Sequence, residues 1–218
     1  MQEKVYIYKV DKDALLREES HLLRLLPEWR KEKAERLKNE MARLQSIAAG
    51  RLMDIALNEY SKEYGVEREL IKYNISHSGD YVAVALSERP VGIDVEHKDD
   101  RSFRITKRMF AREDAIYIGD SQQRFREVWT IKEAFLKCLG IGITVPLDSF
   151  TADYVSCDIV TGKSNAFSHN KIISKGFDLK GVDYYFVTTE LEDGYSLAIC
   201  SDNTNIALYI KSLDILRC

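Results

Sequence analysis

A helix that carries its charges in a stripe beside its apolar face constrains this chain more than any other feature. From Trp129 to Gly142 the sequence runs Trp-Thr-Ile-Lys-Glu-Ala-Phe-Leu-Lys-Cys-Leu-Gly-Ile-Gly. At about 100° per residue, Val128, Ile131, Phe135, Leu136 and Leu139 share one broad apolar face. Gly140 takes a left-handed cap conformation without steric cost and so ends the helix. Trp129, Glu133 and Lys137 follow one another at i, i+4 and i+8 beside the apolar face. Lys132 falls among the apolar residues, where its amine must snorkel out along its stem or meet an anion. By itself the stripe is also what a surface helix with an exposed Glu133–Lys137 pair shows, and such a pair contributes little.

The flanking chain predicts an α+β fold. Val5–Val10 is β-branched and aromatic, a first strand. Asp11 or Asp13 caps a helix running to about Leu26, ended by Pro27. Glu28 to Tyr64 reads as two charged helices. Tyr73–Ile75, Tyr81–Leu86 and Val91–Glu96 read as short strands, joined by the polar connection Asn74–Asp80 and by Glu88-Arg89-Pro90. A helix at Glu113–Ile118 precedes the long helix. Strands resume near Ser149–Val160, Asp183–Thr189 and Ser196–Cys200, with Gly162–Asn170 a polar loop. The order of strand, helices, three strands, helices, three strands looks like one unit used twice. It implies two similar lobes, 1–98 and 99–218, related by a pseudo-twofold axis. Each is a small antiparallel sheet packed with helices, with the site in the cleft between them.

Charge narrows the partners. The 218 residues hold 32 Lys+Arg against 35 Asp+Glu, a formal net charge of −3, so no global attraction to nucleic acid is expected. The four cysteines have no metal-ligand spacing and are expected as reduced thiols in a cytoplasmic protein. No apolar run has the length of a membrane span. Two basic stretches stand out locally. Arg30 to Arg51 holds seven basic residues against three acidic, and Arg101–Arg112 five against none.

Two further motifs carry chemistry. In Gly92-Ile93-Asp94-Val95-Glu96, strand alternation sends Asp94 and Glu96 to one side, with Gly92 leaving room there. Carboxylates about 6–7 Å apart at Cα can converge on one hard cation such as Mg²⁺. Without a cation each raises the other's pKa. In Asn74-Ile75-Ser76-His77-Ser78-Gly79-Asp80, hydroxyls, an imidazole and backbone donors cluster in a way that suits a phosphate. No GxSxG elbow accompanies it, so the Ser-His pair is not a hydrolase triad.

Taken in order and at these separations, Asn-Ile-Ser-His-Ser-Gly at 74–79, Gly-Ile-Asp-Val-Glu at 92–96 and Trp-Thr-Ile-Lys-Glu-Ala-Phe-Leu-Lys at 129–137 resemble the larger, two-lobed 4′-phosphopantetheinyl transferases of the surfactin-synthetase-activating (Sfp) type. Gly140-Ile-Gly-Ile143 and Pro146-Leu-Asp-Ser-Phe150 are similar as well, and the match covers about residues 73–150. The resemblance implies Mg²⁺-dependent transfer of the phosphopantetheine arm of coenzyme A to a serine of an acyl or peptidyl carrier protein, releasing adenosine 3′,5′-bisphosphate. It implies Asp94, Glu96 and Glu133 around Mg²⁺, Ser76 and His77 on the 3′-phosphate, and Lys132 and Lys137 on the phosphates of coenzyme A. Glu133 is then metal ligand, general base, or both, and Lys137 holds the leaving phosphate.

The chain departs from that pattern at two places. The Gly-Lys-Pro of the family falls where this chain reads Tyr64-Gly65-Val66-Glu67, and a first-lobe arginine falls at Gln45. Lys33, Arg43 and Lys72 are the candidate substitutes. Arg101–Arg112, with Met109 and Phe110, is the expected docking segment for an acidic carrier. A monomer with one complete cleft is expected. Two other readings use the same residues: a metal-dependent phosphoesterase, and a non-catalytic module that binds carrier proteins or nucleotides.

Overall fold

The computed structural model describes residues 3–97, 109–154, 170–204, 206 and 208–216. Three helices precede most of the strands: α1 (Lys12–Arg24), α2 (Glu28–Glu35) and α3 (Glu40–Tyr64). The Asp11 carboxylate accepts from the Ala14 amide at the start of α1, and the Asn39 side chain does the same for Ala42 at the start of α3. Strands β1 (Lys4–Lys9), β2 (Lys72–Ser78), β3 (Tyr81–Ser87) and β4 (Val91–Glu96) fall among and after these helices. Then come α4 (Arg112–Ile118) and α5 (Gln122–Leu139). Five more strands follow: β5 (Phe150–Ala152), β6 (Ile172–Ser174), β7 (Tyr185–Glu190), β8 (Ser196–Ser201) and β9 (Ile210–Ser212). The fold is α+β, as expected.

Among the described residues the strands form three sheets, ordered β2-β3-β1-β9, β4-β8-β7 and β5-β6. All pairings are antiparallel except β1 with β9. Residue 98 is therefore not a clean divide. β4 lies before it yet pairs with β8, and β9 lies after it yet pairs with β1. One core packs α1–α3 on the first sheet around Leu44, Leu52 and Tyr60, and another packs α5 on the second around Phe135, Phe150 and Phe186. A third, with Ala83, Ile93 and Ile199, draws on strands of both sheets. Burial of this apolar area is the main force holding the two halves together.

Two expectations change, and three others fall on residues that are not described. The polar connection read over Asn74–Asp80 is mostly strand: β2 runs through Ser78, and Gly79-Asp80 alone makes the turn. Strands β6 and β9 are additional. Most of the loop expected over Gly162–Asn170, the second half of the strand expected over Ser149–Val160, and residues 101–108 of the basic docking segment lie outside the described residues.

Candidate active site

The site forms where two sheet edges and one helix meet. β2 is the outer strand of the first sheet and β4 the outer strand of the second. They face one another without a backbone ladder. Side-chain oxygens bridge them instead: Asn74 Oδ1 accepts from Ile93 N (3.2 Å), Ser76 Oγ from Val95 N (3.3 Å) and Ser78 Oγ from His97 N (3.2 Å). Helix α5 packs across β4 at Gly92. A Cβ built on Gly92 would lie 1.9 Å from the Ala134 carbonyl oxygen and 2.4 Å from the Cys138 amide nitrogen. Only a residue without a side chain lets the helix backbone come so near. The α5 C-terminus is capped by Gly140 in the left-handed conformation (φ 68°), as expected.

This approach brings the helix stripe onto the strand carboxylates. Lys137 Nζ donates to Asp94 Oδ1 (2.6 Å) and to Ser76 Oγ (3.0 Å), and Trp129 Nε1 donates to Glu96 Oε1 (3.3 Å). Ser76 Oγ donates to Asp94 Oδ1 (2.8 Å) and Ser78 Oγ to Glu96 Oε2 (3.1 Å). Asp94 is 3 % exposed. Its Oδ2, and Oε1 of Glu133, are buried oxygens without a hydrogen-bond partner. Buried carboxylate oxygens are costly to leave bare.

The electrostatics agree with that crowding. Burial raises the Asp94 carboxyl above its ordinary value, opposed by Lys137 and by Ser76. Burial and then the Asp94 charge push Glu96 up to about 7. Glu133 is raised by burial and by Asp94, with Lys137 opposing. Three acidic groups thus share one region and resist ionising together. Among the described residues no three His, Cys, Asp or Glu side chains are already drawn into a closed metal-ligand set. Mg²⁺ does not need one, because it binds through one or two carboxylates together with substrate phosphates and water. The bare oxygens of Asp94 and Glu133 and the mutual repulsion of the acids fit a divalent cation.

Cations gather on the adjoining side. His77 lies on the other face of β2 from Ser76, and its imidazole sits below its ordinary pKa through partial desolvation, then the charges of Lys137, Lys33 and Arg30. Lys33 is exposed on α2. Arg30, on the inward face of the same helix with Ala34, is buried, and its Nε has no hydrogen-bond partner. Beside Lys137 a cleft of about 430 Å³, lined by Lys72, Tyr73, Asn74, Val91 and Cys138, has the size of a small-molecule site.

Several sequence-level candidates are placed elsewhere. Lys132 is 1 % exposed and turned away from the cleft. Its ammonium pairs with Asp114 Oδ2 (2.7 Å) and donates to the carbonyls of Leu147 (2.8 Å) and Phe150 (2.6 Å), which uses all three protons. The anion it meets is a side chain of α4 and not a phosphate. Ser76 Oγ accepts from Val95 N and Lys137 Nζ and gives its only proton to Asp94, so no bond is left for a phosphate. Arg43 is engaged by Glu19 at 2.6 Å. Gln45 donates to the Gly79 carbonyl (2.7 Å) and so braces the β2–β3 turn. Phe110 is buried against Phe125 and Trp129, whereas Met109 is exposed. Arg30 was counted in the basic stretch but not singled out; its signal was an arginine spaced i, i+4 with Ala34 on the buried face of α2.

Known proteins resemble this arrangement in sequence. A family model described as the 4′-phosphopantetheinyl transferase superfamily matches residues 90–200, just over half of the chain. The 4′-phosphopantetheinyl transferase gsp of Aneurinibacillus migulanus is 32% identical over 149 residues, 66% of this chain and 56% of the relative. The 4′-phosphopantetheinyl transferase Sfp of Bacillus subtilis (strain 168) is 30% identical over 153 residues, 66% of this chain and 60% of the relative. Another Bacillus subtilis 4′-phosphopantetheinyl transferase is 27% identical over 159 residues, 68% and 63% of the two chains. The matched part of this chain thus spans less than two thirds of these relatives. The matched region includes β4 and α5, the elements that carry Asp94, Glu96, Glu133 and Lys137, and on that match the chain belongs to the 4′-phosphopantetheinyl transferase superfamily.

Proposed function

We propose that this chain transfers the 4′-phosphopantetheine arm of coenzyme A to a serine of an acyl or peptidyl carrier protein. The observation that carries the reading is that Glu96 and Glu133 each feel the charge of Asp94, which Lys137 holds, while one oxygen of Asp94 and one of Glu133 are buried and bare. Asp94, Glu133 and Glu96 would hold Mg²⁺. When bound, the ion would neutralise charge on the pyrophosphate and on the departing phosphate.

The rest falls to the chain's own groups. The carrier serine oxygen attacks the phosphorus bearing the pantetheine arm; a new P–O bond forms, and the P–O bond to adenosine 3′,5′-bisphosphate breaks. The hydroxyl proton passes to Glu133, directly or through one water; burial and the Asp94 charge raise this carboxyl, which makes it a better proton acceptor than an exposed glutamate. Lys137, freed from Asp94, follows the charge onto the leaving phosphate. Arg30 joins Lys33 in supplying positive potential for the nucleotide phosphates, in place of Arg43 and Lys132, and His77, whose pKa is lowered by desolvation and by those charges, offers a neutral ring N–H beside them.

The test is to incubate the protein with Mg²⁺, coenzyme A and an apo carrier protein and to weigh the carrier. A gain of one phosphopantetheine arm is expected. Phosphate released without carrier would instead identify a phosphoesterase, and neither product would leave a binding module.

A further inference from the structure

The bridge between β2 and β4 has a repeat that the reaction alone does not require. Both strands run in the same direction here, and residues 74, 76 and 78 meet the amides of 93, 95 and 97 in step. Alternation with period two on each strand makes such a register available. At two of the three rungs the bridging residue is serine, and the residue before the bonded amide is a carboxylate, Asp94 or Glu96. At the third rung the bridging residue is Asn74 and the residue before the amide is Gly92, which has nothing to orient.

Serine differs from asparagine in the way this register needs. A hydroxyl that accepts a backbone N–H has its single proton left to donate, and the nearest acceptor is the carboxylate beside that amide. Ser76 is thus forced to donate to Asp94 Oδ1, and Ser78 to Glu96 Oε2. The Asn74 carbonyl oxygen accepts and has no proton to give. On Asp94 the consequence is visible: Oδ1 is held by Ser76 and Lys137, and Oδ2 is turned into the interior without a partner.

We infer that Ser76 and Ser78 are positioning residues for the cation site, each clamped on the β4 backbone so that its proton holds one carboxylate: Ser76 leaves Asp94 Oδ2 bare for the ion, and Ser78, with Trp129 on the other oxygen, fixes the orientation of Glu96. The inference rests on the proposed cation-dependent reading, and it assigns these hydroxyls to the carboxylates in place of a phosphate. Partners of ligating carboxylates typically govern metal affinity by about 10–100-fold.

The test uses the full chain and Mn²⁺ alone, counted by the paramagnetic resonance of the free ion, with Mg²⁺ as competitor and no coenzyme A present. Ser76→Ala and Ser78→Ala should each raise the Mn²⁺ Kd by about 10–100-fold. Ser78→Thr, which keeps the hydroxyl on a strand that tolerates β-branching, should restore it. Asn74→Ala removes a rung but no carboxylate partner, so it should lower the melting temperature and leave Kd within about twofold. Equal loss of affinity in Asn74→Ala and Ser78→Ala would reduce the serines to a structural seam and overturn the inference. So would unchanged affinity in both serine variants. A wild-type chain that binds no Mn²⁺ would sink the cation-dependent reading itself, an outcome separate from either of these.

Discussion

In the proposed reading, Glu96 trades stability for a binding task. Its carboxyl is raised from 4.5 to about 7, by burial first and the Asp94 charge second. The folded chain therefore holds a proton that the unfolded chain has already lost between those two values. By linkage, stability of the cation-free protein falls as pH rises from about 4.5 to about 7, and no further loss from this group follows above that. Glu96→Gln should flatten the fall and raise the denaturation midpoint at pH 7.5, while abolishing Mn²⁺ binding. A wild-type midpoint that climbs over that window would contradict the assignment. Cation binding displaces the same proton, so affinity should strengthen as pH rises across the window. The carboxylate pair was legible in the sequence, because strand alternation alone brings Asp94 and Glu96 to one side. The serines were misjudged, since a polar run of Ser, His, Ser and Gly has no apolar periodicity to mark it as strand. Arg30 was hidden among interleaved charges whose inward face only packing reveals.

Two elements depend on single contacts. Helix α4 is tied to α5 by the buried Asp114–Lys132 pair. Asp114 also accepts from the Ala111 amide and from the hydroxyls of Thr151 and Tyr154. Burial lowers the Lys132 pKa, and Asp114 opposes that shift. Removing one partner leaves an uncompensated buried charge, so Asp114→Asn should cost about 3–5 kcal/mol in urea denaturation. A loss under about 1 kcal/mol would mean the pair is solvated after all. The sequence showed that Lys132 needed an anion but not that the anion stands 18 positions earlier on another helix. Gly92 is the second contact. Ala at this position would strike the α5 backbone, where no side chain can move aside, so Gly92→Ala should cost about 1–3 kcal/mol by overpacking and draw Glu133 and Lys137 off β4. Wild-type Mn²⁺ affinity in that variant would show the helix position to be irrelevant to the site.

At the scale of the molecule, the apolar cluster shared between the two sheets couples their stabilities. Heat should therefore unfold the chain in one transition, with calorimetric and van't Hoff enthalpies equal; two resolved transitions would mean independent lobes. The α+β class, the main helices and seven of the strands, β2 and β5 only in part, were readable from periodicity and caps. The strand exchange was not: β6 and β9 are three-residue strands with mostly exposed side chains, and which sheet β4 joins is decided by tertiary packing. That exchange carries a last consequence. A nick in the Glu88-Arg89-Pro90 connection would yield two pieces, the first missing the β9 partner that lines its β1 border and the second, which keeps Asp94 and Glu96 on β4, missing the β2 serines that hold those acids. Co-expressed, the pieces should reassemble into a working whole, whereas a natively structured half obtained in isolation would refute this interdependence.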